Sequence, residues 1–267
     1  MSRLIYVIYI CGIAALGGLL FGYDTAVISG ATEAIQARFG LSDLSLGWAV
    51  SSALLGCIVG TLIAGWFADK FGRKRGLIFS GLLFAVSAFA CVIAPNIELL
   101  VLARFIGGIG VGVASMVTPI YIAEVAPAKI RGGLVTMNQI AIVSGMVLSY
   151  LANWMIVSWG DVEWMNMTGW RWMLGFELIP AFIFLVLTIW IPESPRWLAK
   201  RDRHSESRLI LKRILDEDEV DVEYDSILSN LHVEEGRMHE LFKPGGRRIT
   251  YMTMILALFQ AITGINI

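Results

Sequence analysis

Apolar residues run through this chain in long blocks instead of alternating with polar ones. Six blocks, residues 4–29, 48–67, 76–94, 99–121, 136–159 and 172–191, each reach about the twenty residues a helix needs to cross a bilayer. The pattern predicts six transmembrane helices and an all-α membrane protein. Trp48, Trp66, Trp154, Trp159, Trp170, Trp172 and Trp190 fall at or near block ends. Amphipathic rings prefer the membrane–water interface, so these residues are expected to mark it.

Beyond residue 191 the pattern changes. Residues 192–248 hold eleven Lys or Arg and thirteen Asp or Glu and read as a cytoplasmic linker. Within it, residues 205–215 and 224–231 carry apolar side chains at near-helical spacing, which predicts short surface helices. The acidic run 216–223 between them is expected to be a solvated turn. Residues 249–267 are apolar again and read as the start of a seventh helix. The expected organisation is therefore a bundle over 1–191, a linker over 192–248 and a further helix from 249 to 267.

Charge orients the bundle. The stretch GWFADKFGRKR, residues 65–75, places Asp69 among Lys70, Arg73, Lys74 and Arg75 between two apolar blocks. Lys129 and Arg131 follow the fourth block, whereas the loops after the first, third and fifth carry only Arg38 and Arg171. Basic loops stay on the cytoplasmic side, which predicts a multi-pass cell-membrane protein with a cytoplasmic N-terminus.

Composition agrees. The chain is 57% hydrophobic and 16% charged with a mean hydropathy of +0.70. Soluble domains have about 45–50% apolar and about 25% charged residues. A net charge of −1 gives no reason to expect a nucleic-acid partner. Cys11, Cys57 and Cys91 lie inside apolar blocks without motif spacing, so neither a disulfide framework nor a metal site is expected. Arg3 before an apolar run has the look of a signal peptide. The run is too long, contains Asp24 and has no convincing cleavage site, so it reads as a retained helix. Glycines in the first and fourth blocks fit close helix packing better than a phosphate cradle, because no strand and no G-x-G-x-x-G pattern accompanies them. No nucleophile–base pair is assembled, and an enzyme is not expected.

Asp24, Arg104 and Glu177 are the ionisable residues inside the blocks. A charge at mid-bilayer costs at least ~2.5–3.5 kcal/mol, so each needs a partner, water or a neutral state. Asp24 and Arg104 have opposite signs and suit one another, either as a static pair or as a proton-dependent one. Glu177, at the start of the sixth block, reads as interfacial and water-exposed when taken alone.

Seven stretches in order resemble the sugar porter family of the major facilitator superfamily: GGLLFGYD at 17–24, GWFADKFGRKR at 65–75, RFIGGIGVG at 104–112, PIYIAEVAPAKIRG at 119–132, GWR at 169–171, PESPRW at 192–197 and QAITGIN at 260–266. Within the family, the loop GDVEWMNMTGWRW is similar to that of its xylose-transporting bacterial members. The resemblance implies a six-helix N-terminal bundle, intracellular helices and a second bundle, with substrate between the bundles and alternating access.

Roles follow from the resemblance. Asp24 would bind the coupling proton, Arg104 would pair with it and Glu177 would tune the pair, with no other cofactor. Gln139, Gln260 and Asn266 would hold a monosaccharide of pentose, hexose or xylose-like kind, with Phe21 as an apolar wall. Amides both donate and accept to hydroxyls, which suits a sugar. Read without the family, Gln139 also fits a side chain that joins helices. Gly65, Asp69, Gly72, Arg73, Lys74, Glu124, Arg131, Glu193 and Arg196 would form the cytoplasmic charge motifs of the gate. Two positions depart from the pattern. Ala261 stands where the family has a second glutamine, and Met146 where its xylose transporters have another, so the preferred sugar stays open. The chain has roughly half a family member's length, so the second bundle would come from a longer protein or from a partner half-unit. A facilitative sugar carrier and a non-transporting sugar sensor are the alternatives.

Overall fold

A computed structural model describes residues 2–233 and 247–262 of the chain. The chain divides into two compact units, Met1–Val220 and Asp221–Ile267. The described residues are helical without strands, and six helices among them are long and apolar enough to cross a membrane.

The first five spans are α1 (Arg3–Phe39), α2 (Asp43–Phe71), α3 (Arg73–Ile93), α4 (Ile97–Val125) and α5 (Arg131–Val157). The sixth, Val162–Trp190, is composite. It contains α6 (Val162–Trp164), a π-helical segment (Met165–Gly169), α7 (Trp170–Gly175) and α8 (Leu178–Trp190). All six stand where the apolar blocks placed them, with three differences of extent.

First, α1 continues ten residues past Ser29, stopping where Gly40 adopts a left-handed φ of 61° and caps it. At ~1.5 Å per residue, its 37 residues give ~55 Å, well beyond a ~30 Å hydrocarbon layer. Second, α2 and α3 run through the predicted basic loop and leave only Gly72 between them, at φ 104°. A side chain there would be strained by the backbone and would also collide with the Glu193 carboxylate. Third, the sixth span starts ten residues early, because Asp161 caps the first turn by accepting from the Trp164 N–H at 2.9 Å. Ser2, Ser42 and Asn96 cap α1, α2 and α4 in the same way.

Small residues set how closely the helices approach. A Cβ on Gly22 of α1 would overlap the Ile142 carbonyl of α5, and one on Gly145 of α5 would overlap the Leu19 carbonyl of α1. The same reciprocity joins α2 and α4, with Gly56 and Gly60 against Phe105 and Ile109, and Gly108 and Gly112 against Ala53 and Cys57. Between helices in lipid there is little hydrophobic driving force, so such backbone contact, with its dispersion and weak hydrogen bonding, does the holding. The outward faces keep large apolar groups exposed, including Leu54, Ile58 and Leu62 on α2 and Val143, Val147 and Leu151 on α5.

Three short helices follow the bundle: α9 (Pro195–Lys200), α10 (His204–Ile214) and α11 (Glu217–Val233). The predicted turn over 216–223 is helix from Glu217 onward. Glu217, Asp218 and Glu219 form its first turn, where acidic groups complement the helix dipole. In the second unit, α12 (Arg247–Ile262) occupies part of the predicted seventh helix.

Candidate functional site

Asp24 on α1 and Arg104 on α4 form an ion pair inside the bundle. Arg104 Nη1 donates to Asp24 Oδ1 at 2.5 Å, and Nη2 donates to the Asp24 backbone carbonyl at 3.2 Å. Their side chains are only 2% and 4% exposed. Local sequence creates the space. A Cβ on Gly107 would sit 2.5 Å from Ser87 Oγ and 3.5 Å from Asp24 Oδ1, so glycine lets α4 lie against both groups. Ser87 Oγ donates to the Ala103 carbonyl at 2.8 Å and ties α3 to the same point of α4.

Glu177 completes a trio. It is 2% exposed at the break between α7 and α8, and its charge acts on both Asp24 and Arg104. The interfacial placement expected for it is therefore wrong. The sixth span begins earlier than its apolar block, so the break falls within the bundle. Buried Trp170, Met173 and Leu174 belong to the core cluster on the preceding turns, against which Phe176 packs. Trp170 is likewise not an interfacial ring. It is fully buried, with Phe39 edge-on at 5.8 Å between ring centroids, whereas the other six tryptophans named above are exposed. Two acids face one base, so the trio is electrically neutral only with one proton bound. It can store that proton or hold α1 to α4, depending on whether Asp24 is charged.

The residues expected to touch sugar are distributed differently. Gln139 is exposed on α5 and Phe21 half-buried on α1. Adjacent Asn138, not Gln139, is the buried amide, lying where a Cβ on Gly18 of α1 would strike its Oδ1. Gln260 falls on α12 with its side chain outside what the structure describes, and Asn266 lies outside the described residues.

At the end of the bundle where α2 meets α3, the charge motifs close into one network. Arg73 makes a two-pronged pair with Glu124, Nε to Oε2 at 2.9 Å and Nη2 to Oε1 at 3.0 Å, and reaches Asp69 Oδ1 at 2.9 Å. Glu193 serves as the missing cap of α3. Its Oε1 accepts the N–H groups of Arg73, Lys74 and Ser194 at 2.9, 3.1 and 2.9 Å. Lys74 Nζ donates to the Ile189 carbonyl, Arg131 Nε to the Ala126 carbonyl, and Arg196 is half-buried on α9. Gly65 faces the Met116 side chain of α4.

Burial pushes the Glu193 carboxyl up from its usual 4.5, against the opposing pull of its backbone donors and Arg73. A carboxyl whose folded value lies above its unfolded one takes up a proton on folding. Its contribution is complete below the unfolded value and fades as pH rises through the folded one. Glu193→Gln keeps an oxygen for the three N–H groups but buries no charge. Its melting temperature in detergent should therefore rise relative to the parent as pH goes from about 4 to about 7. Parallel melting curves across that range would contradict this balance.

Several contacts escaped the sequence. Trp197 Nε1 donates to the Asp69 carbonyl at 2.9 Å, and Arg201 Nη2 to the carbonyls of Asp69 and Lys70 at 3.0 and 2.9 Å, closing the end of α2. Arg171 caps α3 through the Val92 and Ala94 carbonyls, and Asn153 Nδ2 reaches the Val27 carbonyl at 3.1 Å. Their partners are backbone oxygens far away in sequence, which no side-chain pattern signals.

Known proteins share this sequence pattern and fold. A family profile for sugar (and other) transporters matches residues 10–267. The arabinose-proton symporter of Bacillus subtilis is 41% identical over 98% of the chain and 56% of its own length. The D-xylose-proton symporter of Escherichia coli is 39% identical over 98% of the chain and 58% of its own length. The chain thus spans a little over half of these relatives. A structure of the proton:xylose symporter XylE superposes with a TM-score of 0.88 at 38% identity, covering 99% of this chain and 61% of that one. The fold is that of the six-helix N-terminal bundle of a major facilitator transporter, and the chain belongs to the sugar porter family of that superfamily.

Proposed function

We propose that this chain supplies the N-terminal bundle of a proton-coupled monosaccharide symporter that works by alternating access. The observation that carries the proposal is the buried Asp24–Arg104 pair with Glu177 beside it. A passive carrier has no need of a protonatable carboxylate in a site where charge is costly. Protonation of Asp24 frees Arg104 and loosens α1 from α4, whereas ionisation draws them together. A proton thereby selects between two helix arrangements, and sugar that favours one of them becomes coupled to it. Gln139 and Phe21 would meet the sugar from this bundle, and Gln260 and Asn266 from the following helix. A second bundle, in the same protein or a partner, would complete the site. The Asp69–Arg73–Glu124 network would close against that bundle on the cytoplasmic side, where the positive-inside rule would also put the N-terminus.

The test is sugar-driven alkalinisation around liposomes containing the full-length protein. Pentoses, hexoses and polyols are added one at a time, and external pH and labelled sugar are followed together. At least one monosaccharide should carry protons inward with it. Sugar flux without proton movement would make the protein a facilitative carrier, and binding without flux would make it a sensor.

A further inference from the structure

A serine or threonine inside a helix ordinarily satisfies its hydroxyl on a carbonyl of its own preceding turn. Ser52, Ser80, Ser115 and Thr188 do so, donating to the carbonyls of Ala49, Leu77, Gly112 and Phe184 at 2.7, 2.8, 2.9 and 2.6 Å. Ser87 on α3 does not. Its hydroxyl leaves the helix and donates to the Ala103 carbonyl of α4 at 2.8 Å. Ser87 and Ala103 are both buried, so the bond forms out of reach of bulk water. Ser80 gives a direct contrast, since it is a second buried serine about two turns away on the same helix.

The carbonyl that Ser87 holds belongs to the peptide unit joining Ala103 to Arg104. Fixing that plane fixes the root of the arginine side chain. At the other end, the guanidinium is hydrogen-bonded to Asp24 alone, through Nη1 to the carboxylate and Nη2 to the backbone carbonyl. Arg104 Nε is buried without a partner among the described residues. One turn along α4 from Ala103, a Cβ on Gly107 would fall 2.5 Å from Ser87 Oγ and 3.5 Å from Asp24 Oδ1. The α3 hydroxyl, the α4 backbone and the α1 carboxylate therefore meet at one level of the bundle.

We propose that Ser87 is a positioning residue that fixes the root of Arg104 against α3 while Asp24 gains and loses its proton. The inference rests on the proton-coupling role given above to Asp24, Arg104 and Glu177. Protonation weakens the hold of Asp24 on the guanidinium, but the bond from Ser87 to α4 involves neither group. Arg104 is thus released from a fixed base and returns to the same place when Asp24 ionises. Without the hydroxyl, the Ala103–Arg104 peptide is held by its own helix alone, and the guanidinium meets the carboxylate less firmly. The charged and titratable groups facing Asp24 are Arg104 on α4, Glu177 in the sixth span, Cys91 on α3 and Cys57 on α2. Ser87 adds no charge to them and changes only how well the pair closes.

Ser87→Ala is compared with Ser80→Ala and Asp24→Asn in the full-length protein. A hydrogen bond between membrane helices is worth about threefold in an equilibrium. Ser87→Ala should therefore lower proton-driven sugar accumulation about threefold and move its pH midpoint up by about half a unit. The shift is upward because a cation held less firmly favours the ionised carboxyl less. Sugar exchange at equal pH should stay within about twofold of the parent, and Ser80→Ala should match the parent throughout. If Ser87→Ala keeps parent coupling, or its midpoint stays or moves down, while Asp24→Asn has lost coupling, Ser87 only fastens helices and this inference alone falls. An equal shift in Ser80→Ala, or a joint fall of exchange, coupling and melting temperature, would also overturn it, since loosened α3 packing does that. Coupling that survives Asp24→Asn would overturn the reading of the trio, and this inference with it.

Discussion

Asp24→Asn in the full-length protein should stop sugar-driven proton movement while leaving sugar exchange between the two sides of a liposome running. Accumulation should fall by about two orders of magnitude, to simple equilibration, because an amide in this position has no proton to release. The geometry makes the outcome specific. The substituted amide would keep an oxygen for Arg104 Nη1 where Asp24 Oδ1 now lies at 2.5 Å, and the Nη2 contact to the backbone carbonyl is untouched. The helices stay in register, but the guanidinium has lost the countercharge bonded to it and keeps only that of Glu177 beside it. Leaving one member of a buried pair uncompensated costs about 3–5 kcal/mol when the partner is removed outright, and less when an isostere remains. The variant should melt lower than the parent, and adding Arg104→Gln should restore part of that loss without restoring coupling. Restored coupling in the double variant would move the proton site to Glu177. Unchanged coupling in the single variant would make the pair a static fastener.

The sequence was most legible where a single physical demand dominates. Burying twenty apolar residues at a time admits little besides membrane helices, so the six spans could be read directly. The Asp24–Arg104 pair was legible for the same reason, since isolated charges in lipid need each other. Glu177 is buried although its local pattern looks interfacial, because its apolar block begins at Trp172 whereas the helix starts at Val162 under an Asp161 cap and a π-helical turn. Trp170 shows the same limit, since a tryptophan near a span end has the same local pattern whether it faces lipid or core. The basic loop shows a different limit. Its charges were plain, but that Glu193 caps α3 and Trp197 with Arg201 closes α2 depends on tertiary return of the chain. At the face proposed to meet sugar, Asn138 and Gln139 are neighbours in sequence, and only helix rotation separates the buried amide from the exposed one.

The second large effect belongs to a position without a side chain. Gly22→Ala should break the bundle's grip on the site, whereas Gly12→Ala on the same helix should leave exchange and coupling unchanged and not lower the melting temperature. At Gly22 the new Cβ would fall on the Ile142 carbonyl and Cα, which are backbone atoms of α5 and cannot swing aside. At Gly12 it would meet no heavy atom within 4 Å. Overpacking of this kind costs about 1–3 kcal/mol in a well-packed core, and a backbone obstacle places Gly22 at the upper end. Alanine at Gly12 instead gains helix propensity, up to about 1 kcal/mol. Asp24 lies two residues beyond Gly22, so pushing α1 off α5 also moves the carboxylate that Arg104 holds. The expected signature is loss of sugar exchange and proton coupling together with a lowered melting temperature, unlike Asp24→Asn, which separates them. Parent-like melting and exchange in Gly22→Ala would mean that α1 and α5 do not touch at this depth in the working protein, and the α1 placement on which the proposed proton site depends would have to be redrawn.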